Sequence, residues 1–460
     1  MNERFADLVI LGGGSGGYAC ALRAAELGQS VILIEKDKLG GTCLHRGCIP
    51  TKAMLHAAEI ADAARNGEQF GVISKFAGIH MSGVNAYKDG VVARLHTGLK
   101  GLVSSRKIEL VEGSGTVVGP TSIEVDGTRF TGRNVVLATG SYAKTVPGLE
   151  IGGRIVTSDQ ALTLDEVPER VVVLGGGVIG VEFASVWRSF GAEVTVVEAQ
   201  PRLVPNEDEF ASKILERAFR RRGIVMETGV QFTDANVEPG RVTVSLDSGA
   251  EIEADLMLVA VGRGPNTTGL GFEDIGLELD RGFVYTDERL RTNLPGVYAV
   301  GDVVAGLQLA HRGFQQGIFV AEDIAGLNPR PIDEAGIPRV TYCDPEVASV
   351  GLTEAVAKEQ FGEIETVTYD LGGNGKSQVL ETSGAIKLVK AGTQGTAGPI
   401  VGIHMVGARV GELIGEAQLV YNWGAEPSDV APYVHAHPTQ NEAFGEALLA
   451  LAGKPLHTHS

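Results

Sequence analysis

The chain predicts an α/β fold in which two parallel-stranded, doubly wound units are followed by a C-terminal α+β domain. Two observations carry this. The first is an internal repeat: LVILGGGSGGYACALRAAELGQSVILIE (residues 8–35) aligns without a gap on VVVLGGGVIGVEFASVWRSFGAEVTVVE (residues 171–198). Each copy reads as an apolar strand, a glycine turn, a helix, a glycine stop and a second apolar strand ending in Glu. The second observation is a change of texture from residue 341 onward. There, alternating strands at 385–390 and 399–406 lead into two helical stretches, the pattern of a separate α+β domain.

Within the repeat, Gly12, Gly14 and Gly17 match Gly175, Gly177 and Gly180. The first glycine of such a set makes a tight turn and the second lets the backbone approach a pyrophosphate. The third lets the helix pack closely on the strand. The N–H groups of the helix start then face the phosphates. Glu35 and Glu198 each stand 23 residues after the first glycine of their copy, where a carboxylate accepts hydrogen bonds from a ribose hydroxyl pair. Gly28 and Gly191 fall where a helix C-terminus needs a left-handed residue. One GxGxxG is a weak signal. Two of them, each between strand and helix and each with its acidic residue, predict two Rossmann-like dinucleotide-binding units.

The remaining elements follow in order. Apolar strands at 135–141 and 256–266 end in glycine loops and close their units at the carboxyl edge of the sheet. A helix and a hairpin between residues 200 and 256 continue the second unit. VYAVGD (297–302) is a further buried strand running into an acidic turn, with LQLAH at 307–311. The expected boundaries are 1–147, 148–270, 271–340 and 341–460, with HTHS (457–460) as a tail.

A length of 460 residues accommodates about three domains of ~150 residues. Apolar content of 43% and charged content of 21% are those of a soluble globular protein. A formal net charge of −18 argues against affinity for nucleic acid or an anionic membrane surface. No apolar run approaches the ~18 residues that span a bilayer. A strand begins almost at the first residue, leaving no room for a cleavable signal. With Cys20 and Cys343 isolated and reading as small buried apolar residues, the cysteine count fits a reducing, cytoplasmic setting.

Cys43 and Cys48 in GGTCLHRGCIPTK are the exception. A bridge closing so short a loop restrains little chain entropy, worth about 2 kcal/mol. A regular helix would also hold the two at least ~7.5 Å apart along its axis, beyond disulfide reach. Gly47 must therefore help bend the backbone if they bond, and a strained bridge is the easily reduced kind. Zinc is the competing reading, but it lacks a second cysteine pair. Pro50 suits a first helical turn, which puts Cys48 near a helix N-terminus where a thiolate is favoured. Lys52 would add positive charge there, or be a solvated surface lysine.

Near the other end stands HAHPTQNEAFGE. His437 and Glu442 read as a base and its orienting carboxylate. Two alternatives stand beside this: a metal site using the His-x-His pair with a nearby Glu, and a histidine satisfying a buried hydrogen bond.

Together GGTCLHRGCIPTK, the two GGGxxG units, VYAVGD, LQLAH and HAHPTQNEAFGE resemble the flavoprotein disulfide reductases, in the expected order over nearly the whole chain. The resemblance implies FAD on the first unit, with contacts at Gly12, Gly14, Gly17, Glu35, Thr42, Lys52, Gly115, Gly140, Asp302 and Ala310. It implies NAD on the second, around Gly175, Gly177, Gly180, Glu182, Glu198, Val230 and Gly262, with Lys52 paired to Glu182. It further implies a redox disulfide between Cys43 and Cys48, a catalytic base at His437 held by Glu442, no metal, and a C-terminal dimerisation domain that builds a homodimer.

The best match within the family is to members serving 2-oxoacid dehydrogenase complexes. These take electrons from dihydrolipoamide on lipoyl domains around an acyltransferase core and pass them to NAD+. An NAD(P)H-dependent reductase of small disulfides, of glutathione or mycothione type, is the alternative. Glu198 in VVEAQPR would repel the 2′-phosphate of NADP. His45-Arg46 between the cysteines, Arg312 and Gln316 after LAH, and GGNGKS (372–377) depart from the usual family pattern.

Overall fold

A computed structural model describes residues 2–457; Met1 and 458–460, most of the expected tail, lie outside the described residues. The first unit is centred on the strand Asn2–Leu11. It pairs in parallel with Val31–Glu35 on one side and Thr128–Leu137 on the other. Glu109–Glu112 extends the sheet beyond Val31–Glu35, and Val297–Ala299 adds in parallel to Thr128–Leu137. The core of these strands (Leu8 to Ile10, Ile32 to Ile34, Val135 to Leu137) is almost wholly buried on both faces, which is why they read as continuous apolar runs and do not alternate.

The second unit repeats this plan. Its parallel sheet runs Val225–Thr228, Glu193–Glu198, Arg170–Leu174, Leu256–Val259, Ile155–Thr157. In both units the chain goes to one side of the first strand and then returns to its other side. A crevice is left at the carboxyl edge, where such sheets take their ligands. The expected hairpin is a three-stranded antiparallel sheet, Phe232–Glu238, Arg241–Leu246 and Glu251–Ala254. The helix Ala310–Ile324 returns to the first unit and packs on the helix Ser15–Glu26.

The C-terminal sheet is antiparallel, in the order Arg339–Thr341, Glu346–Gly351, Ile400–Gly407, Ala385–Ala391, Ile364–Asp370. Helices Val410–Asn422 and Glu442–Leu451 pack on it, and its two central strands are buried along their full length. The charged residues inside those strands are paired. Lys387 Nζ lies 2.8 Å from Asp208 of the second unit, and Lys390 Nζ lies 2.6 Å from Glu365. None of the described helices is long and apolar enough to cross a membrane.

Candidate active site

The two glycine turns have the same geometry. Gly12 (φ +106°) and Gly175 (φ +110°) adopt a conformation open to glycine, and a Cβ would stand 2.2 Å from Ala138 O or 2.4 Å from Ala260 O. At the third position a Cβ on Gly17 or Gly180 would lie under 2 Å from the carbonyl of the first glycine (1.8 and 1.9 Å), so the helix can sit this close only without a side chain. The second position is different. A Cβ on Gly177 would meet nothing within 4 Å, and one on Gly14 only Gly41 Cα at 4.0 Å.

The helices Ser15–Glu26 and Val178–Phe190 also begin without any side-chain cap. Each turn therefore offers open space in front of uncapped N–H donors, the cradle a pyrophosphate fills. Both acidic residues are anchored from behind. Glu35 accepts from Gly13 N at 2.7 Å and Asp37 N at 2.8 Å, and Glu198 from Gly176 N and Gln200 N at 2.7 Å each. A carboxylate has lone pairs left for a ribose.

A cavity of about 440 Å³ opens from the first turn toward the second unit. Its walls include Gly14, Thr42, Gly140, Asp302 and Ala310, and on the far side Lys52, Glu182, Cys43 and Cys48. This lining, a glycine turn before an uncapped helix at one end and Lys52 with two thiols at the other, suits FAD, which would find phosphate donors and a redox partner there. Asp302 is oriented by Ser141, whose hydroxyl donates to Oδ2 at 2.6 Å. Ser141 in turn receives Arg263 Nε at 2.7 Å. Of the other expected residues, Gly115 is packed against Leu11 and Ile123, the Val230 N–H donates to Glu198 O at 3.3 Å, and Gly262 (φ +109°) has open space before it.

The cysteines sit on two helices, Gly41–Arg46 and Cys48–Asn66, broken by Gly47. A Cβ on Gly47 would lie 3.1 Å from Thr42 O, so the bend brings the chain back over its previous turn. Cys48 is the first residue of the second helix, and the pair is unbonded. The Cys43 thiol donates to Cys48, which lowers the Cys48 pKa to about 7; the Lys52 charge helps, while burial and Glu182 oppose. Donating that bond, together with burial beside the Cys48 charge, pushes Cys43 well above a free thiol. Burial alone lifts Cys20 to about 12, which leaves it inert as a nucleophile.

Lys52 Nζ lies 2.8 and 2.9 Å from the two oxygens of Glu182, itself 2% exposed, and 4.6 Å from the centre of the Tyr342 ring. Burial works against the lysine's charge, but the charge and hydrogen bonds of Glu182, backed by Cys48, outweigh it and raise its pKa. Tyr342 N donates to Glu182 at 2.9 Å. Sequence reasoning missed Tyr342, Ser141 and Arg263, and also Tyr18, whose hydroxyl burial lifts to about 12 near both cysteines. No motif signals them, because each acts across 100 or more residues of sequence or on a side chain that looks like ordinary core.

His437 and Glu442 do not line this cavity. They meet each other in the C-terminal domain, with Nδ1 of the imidazole 2.7 Å from Glu442 Oε1. Thr439 N donates to Oε2 at 2.7 Å. Burial would raise the Glu442 pKa, yet these two hydrogen bonds hold it below the ordinary carboxylate range. With Nδ1–H given to the carboxylate, Nε2 is left as the basic atom. The His437–Pro438 peptide is cis.

The departures from the family pattern each have a place. His45 donates to Leu39 O at 3.0 Å and Arg46 pairs with Asp37 at 2.7 Å. Arg312 is held by Glu334 at 2.8 Å and the Gln316 carbonyl accepts from Gly301 N at 2.7 Å, next to Asp302. Asn374, in the 372–377 loop, reaches Thr439.

Residues 6–317 match the family Pyridine nucleotide-disulphide oxidoreductase, and residues 337–448 match its dimerisation domain. A dihydrolipoyl dehydrogenase of Bacillus subtilis is 39% identical, covering 98% of this chain and 99% of that protein. The mitochondrial dihydrolipoyl dehydrogenase of Pisum sativum is also 39% identical, covering 98% and 92%. Among solved structures, LpdA of Mycobacterium tuberculosis superposes with a TM-score of 0.89 at 26% identity, covering 98% of this chain and all of that one. The flavoprotein disulfide reductase RclA of Escherichia coli gives 0.86 at 27%, covering 96% and 99%. With both nucleotide turns, the paired thiols and these matches over nearly its whole length, the chain belongs to the pyridine nucleotide-disulphide oxidoreductase family and uses FAD and NAD(H).

Proposed function

We propose that the chain oxidises dihydrolipoamide to lipoamide and passes the electron pair to NAD+ through the Cys43–Cys48 pair. The observation that carries this is the placement of the two thiols: both face one cavity, and Cys48 opens the helix Cys48–Asn66 that also carries Lys52, held by Glu182. In the disulfide form, His437 Nε2 takes a proton from one substrate thiol and the thiolate attacks Cys43 Sγ. The sulfur–sulfur bond breaks toward Cys48, the better leaving thiolate. The second substrate thiol then attacks the mixed disulfide. Cys43 leaves and takes up a proton, giving lipoamide, a Cys43 thiol and a Cys48 thiolate, with one proton released. FAD, when bound, carries the electron pair from the dithiol to the nicotinamide. Lys52, held by Glu182, keeps a positive charge in the cavity where the Cys48 thiolate forms. Gly12, Gly14, Gly17, Glu35, Thr42, Gly115, Gly140, Asp302 and Ala310 hold FAD in this reading. Gly175, Gly177, Gly180, Glu198, Val230 and Gly262 hold NAD.

Because His437 and the cysteines do not share a cavity in one chain, the reading requires a homodimer. The C-terminal domain of each protomer, 341–460, then brings its base to the other's disulfide. The segments 1–147, 148–270 and 271–340 supply the FAD, NAD and central parts. A cytoplasmic homodimer working on the lipoyl domains and acyltransferase core of a 2-oxoacid dehydrogenase complex is the setting this predicts.

The test is NADH oxidation with lipoamide, oxidised glutathione and mycothione disulfide side by side. Lipoamide should be turned over at least tenfold faster than either, and equal or reversed preference overturns the substrate assignment. Mixing Cys48→Ser with His437→Ala subunits should restore activity in heterodimers, where one of the two sites is intact. Verified heterodimers that stay inactive rule out the shared site.

A further inference from the structure

Glu442 orients the His437 ring and accepts one backbone N–H after it, that of Thr439, but makes no hydrogen bond to the residues before it. The His437 side chain is 78% exposed and sits on the non-helical stretch between Val430 and Glu442. A base on a wandering loop forfeits effective molarity, so something else must hold this stretch.

Two side chains from outside the stretch do so. Two residues before the base, His435 has a side chain only 12% exposed, and its Nε2 lies 3.0 Å from Glu416 Oε1 on the helix Val410–Asn422. The other Glu416 oxygen accepts from Asn441 Nδ2, immediately before Glu442. One carboxylate thus clasps the loop on both sides of His437. Room for this is made by Gly445, where a Cβ would stand 2.5 Å from His435 Nδ1. On the opposite shoulder Asn374, 3% exposed, donates from Nδ2 to Thr439 O at 2.9 Å, and its Oδ1 accepts from Ser377 N at 2.9 Å. Thr439 is the residue whose N–H holds Glu442.

The electrostatics agree with the geometry. The bond to Glu416 raises the His435 imidazole above its ordinary pKa and holds Glu416 below that of a free carboxyl. The charge of His435 also helps to keep Glu442 ionised.

We infer that His435, clasped by Glu416, is a positioning residue for the His437–Glu442 base pair: a second histidine–carboxylate pair that aims the first and does not itself meet the substrate. This rests on the assignment of His437 as the base.

The experiment compares His435→Ala, Glu416→Gln and the double variant with wild type and His437→Ala, all as FAD-loaded dimers. His435→Ala and Glu416→Gln should each lower kcat for dihydrolipoamide oxidation about tenfold, with KM changed less than twofold. The double variant should be no more than twofold worse than the weaker single, because the two residues act as one unit. His435→Gln, which keeps a donor toward Glu416, should recover part of the loss. Flavin content and the rate of flavin reduction by NADH should stay at wild-type values, which general damage to the fold would not allow.

If His435→Ala fails to assemble, Glu416→Gln keeps the volume and decides alone. Singles within twofold of wild type, fully additive losses, or a matching fall in the NADH half-reaction overturn the inference. His437→Ala should lose about 10²–10⁴ in turnover. A smaller loss there defeats the base assignment itself, whereas the expected loss beside normal His435 and Glu416 variants defeats only the positioning role.

Discussion

The two nucleotide units share their turns to within tenths of an ångström in the critical approaches, yet their helices face different neighbours. In the first, Ala19 points to the helix Ala310–Ile324, and the two backbones nearly touch. A Cβ on Gly317 would stand 2.3 Å from Gly16 O and 3.2 Å from Ala19 Cβ. In the second, the same slot of the repeat is Glu182, buried and bonded to Lys52 on the helix Cys48–Asn66. The strand, turn and acidic terminus are therefore held common, while the outer face of the helix is set by what packs on it. A small residue there permits a close helix pair. A carboxylate there fixes an ammonium inside the cavity beside Cys48.

Exchanging the two slots tests this directly. Ala19→Glu buries a carboxylate with no partner against a glycine-lined contact, and should cost about 3–5 kcal/mol. Chemical denaturation and FAD retention measure it, and a loss below about 1 kcal/mol would mean the helices are not held so closely. The reverse change, Glu182→Ala, strands the Lys52 ammonium. Because that group opens on the cavity and can draw water, the cost should be smaller, about 2 kcal/mol. The same variant removes a negative charge that works against the Cys48 thiolate, so the thiolate should titrate below the wild-type value of about 7. Thiolate absorbance of the dithiol enzyme against pH reads this, and an upward shift would contradict the assignment of charges.

The acidic ends of the repeat sharpen the comparison. Both carboxylates are fixed from behind, and Arg202, the nearest cation after Glu198, is spent on Glu207 O, Pro205 O and Ser212. With Arg202 engaged in this way and Glu198 repelling a 2′-phosphate, kcat/KM should favour NADH over NADPH by more than tenfold, or about 1.4 kcal/mol. Parity would show that the second unit does not read the ribose as proposed. The smallest expected change in the Cys48 titration is at Cys43→Ser, since a serine hydroxyl can still donate to Cys48, although the variant has no sulfur for the substrate to attack. The oxidised variant should show a long-wavelength thiolate–flavin absorbance that titrates near pH 7, and Cys48→Ser should show none. Equal spectra would overturn this division of roles between the two sulfurs.

Much of the fold could be read in advance because its signals are local. Gly12 and Gly175 stand where a backbone must turn with positive φ, and the apolar strands beside them are continuous because both faces of each sheet are covered. The helix break between the cysteines was legible from Gly47 and Pro50 for the same reason. Lys387 and Lys390 were not legible. They lie inside a buried strand, and only partners on distant segments, Asp208 among them, make that tolerable.

The sequence by itself determined the local features on which the proposed chemistry rests: two glycine turns with their glutamates, a cysteine pair at a helix start, and a histidine five residues before a glutamate. These are properties of short stretches, set by backbone sterics and helix ends. The tertiary structure decided how they are tuned. It brings Glu182 to Lys52, Ser141 and Arg263 to Asp302, and Glu416 and Asn374 to the loop of His437. Hydrogen bonds and charges act over a few ångströms of space whatever the separation along the chain, so no pattern within a stretch can announce them.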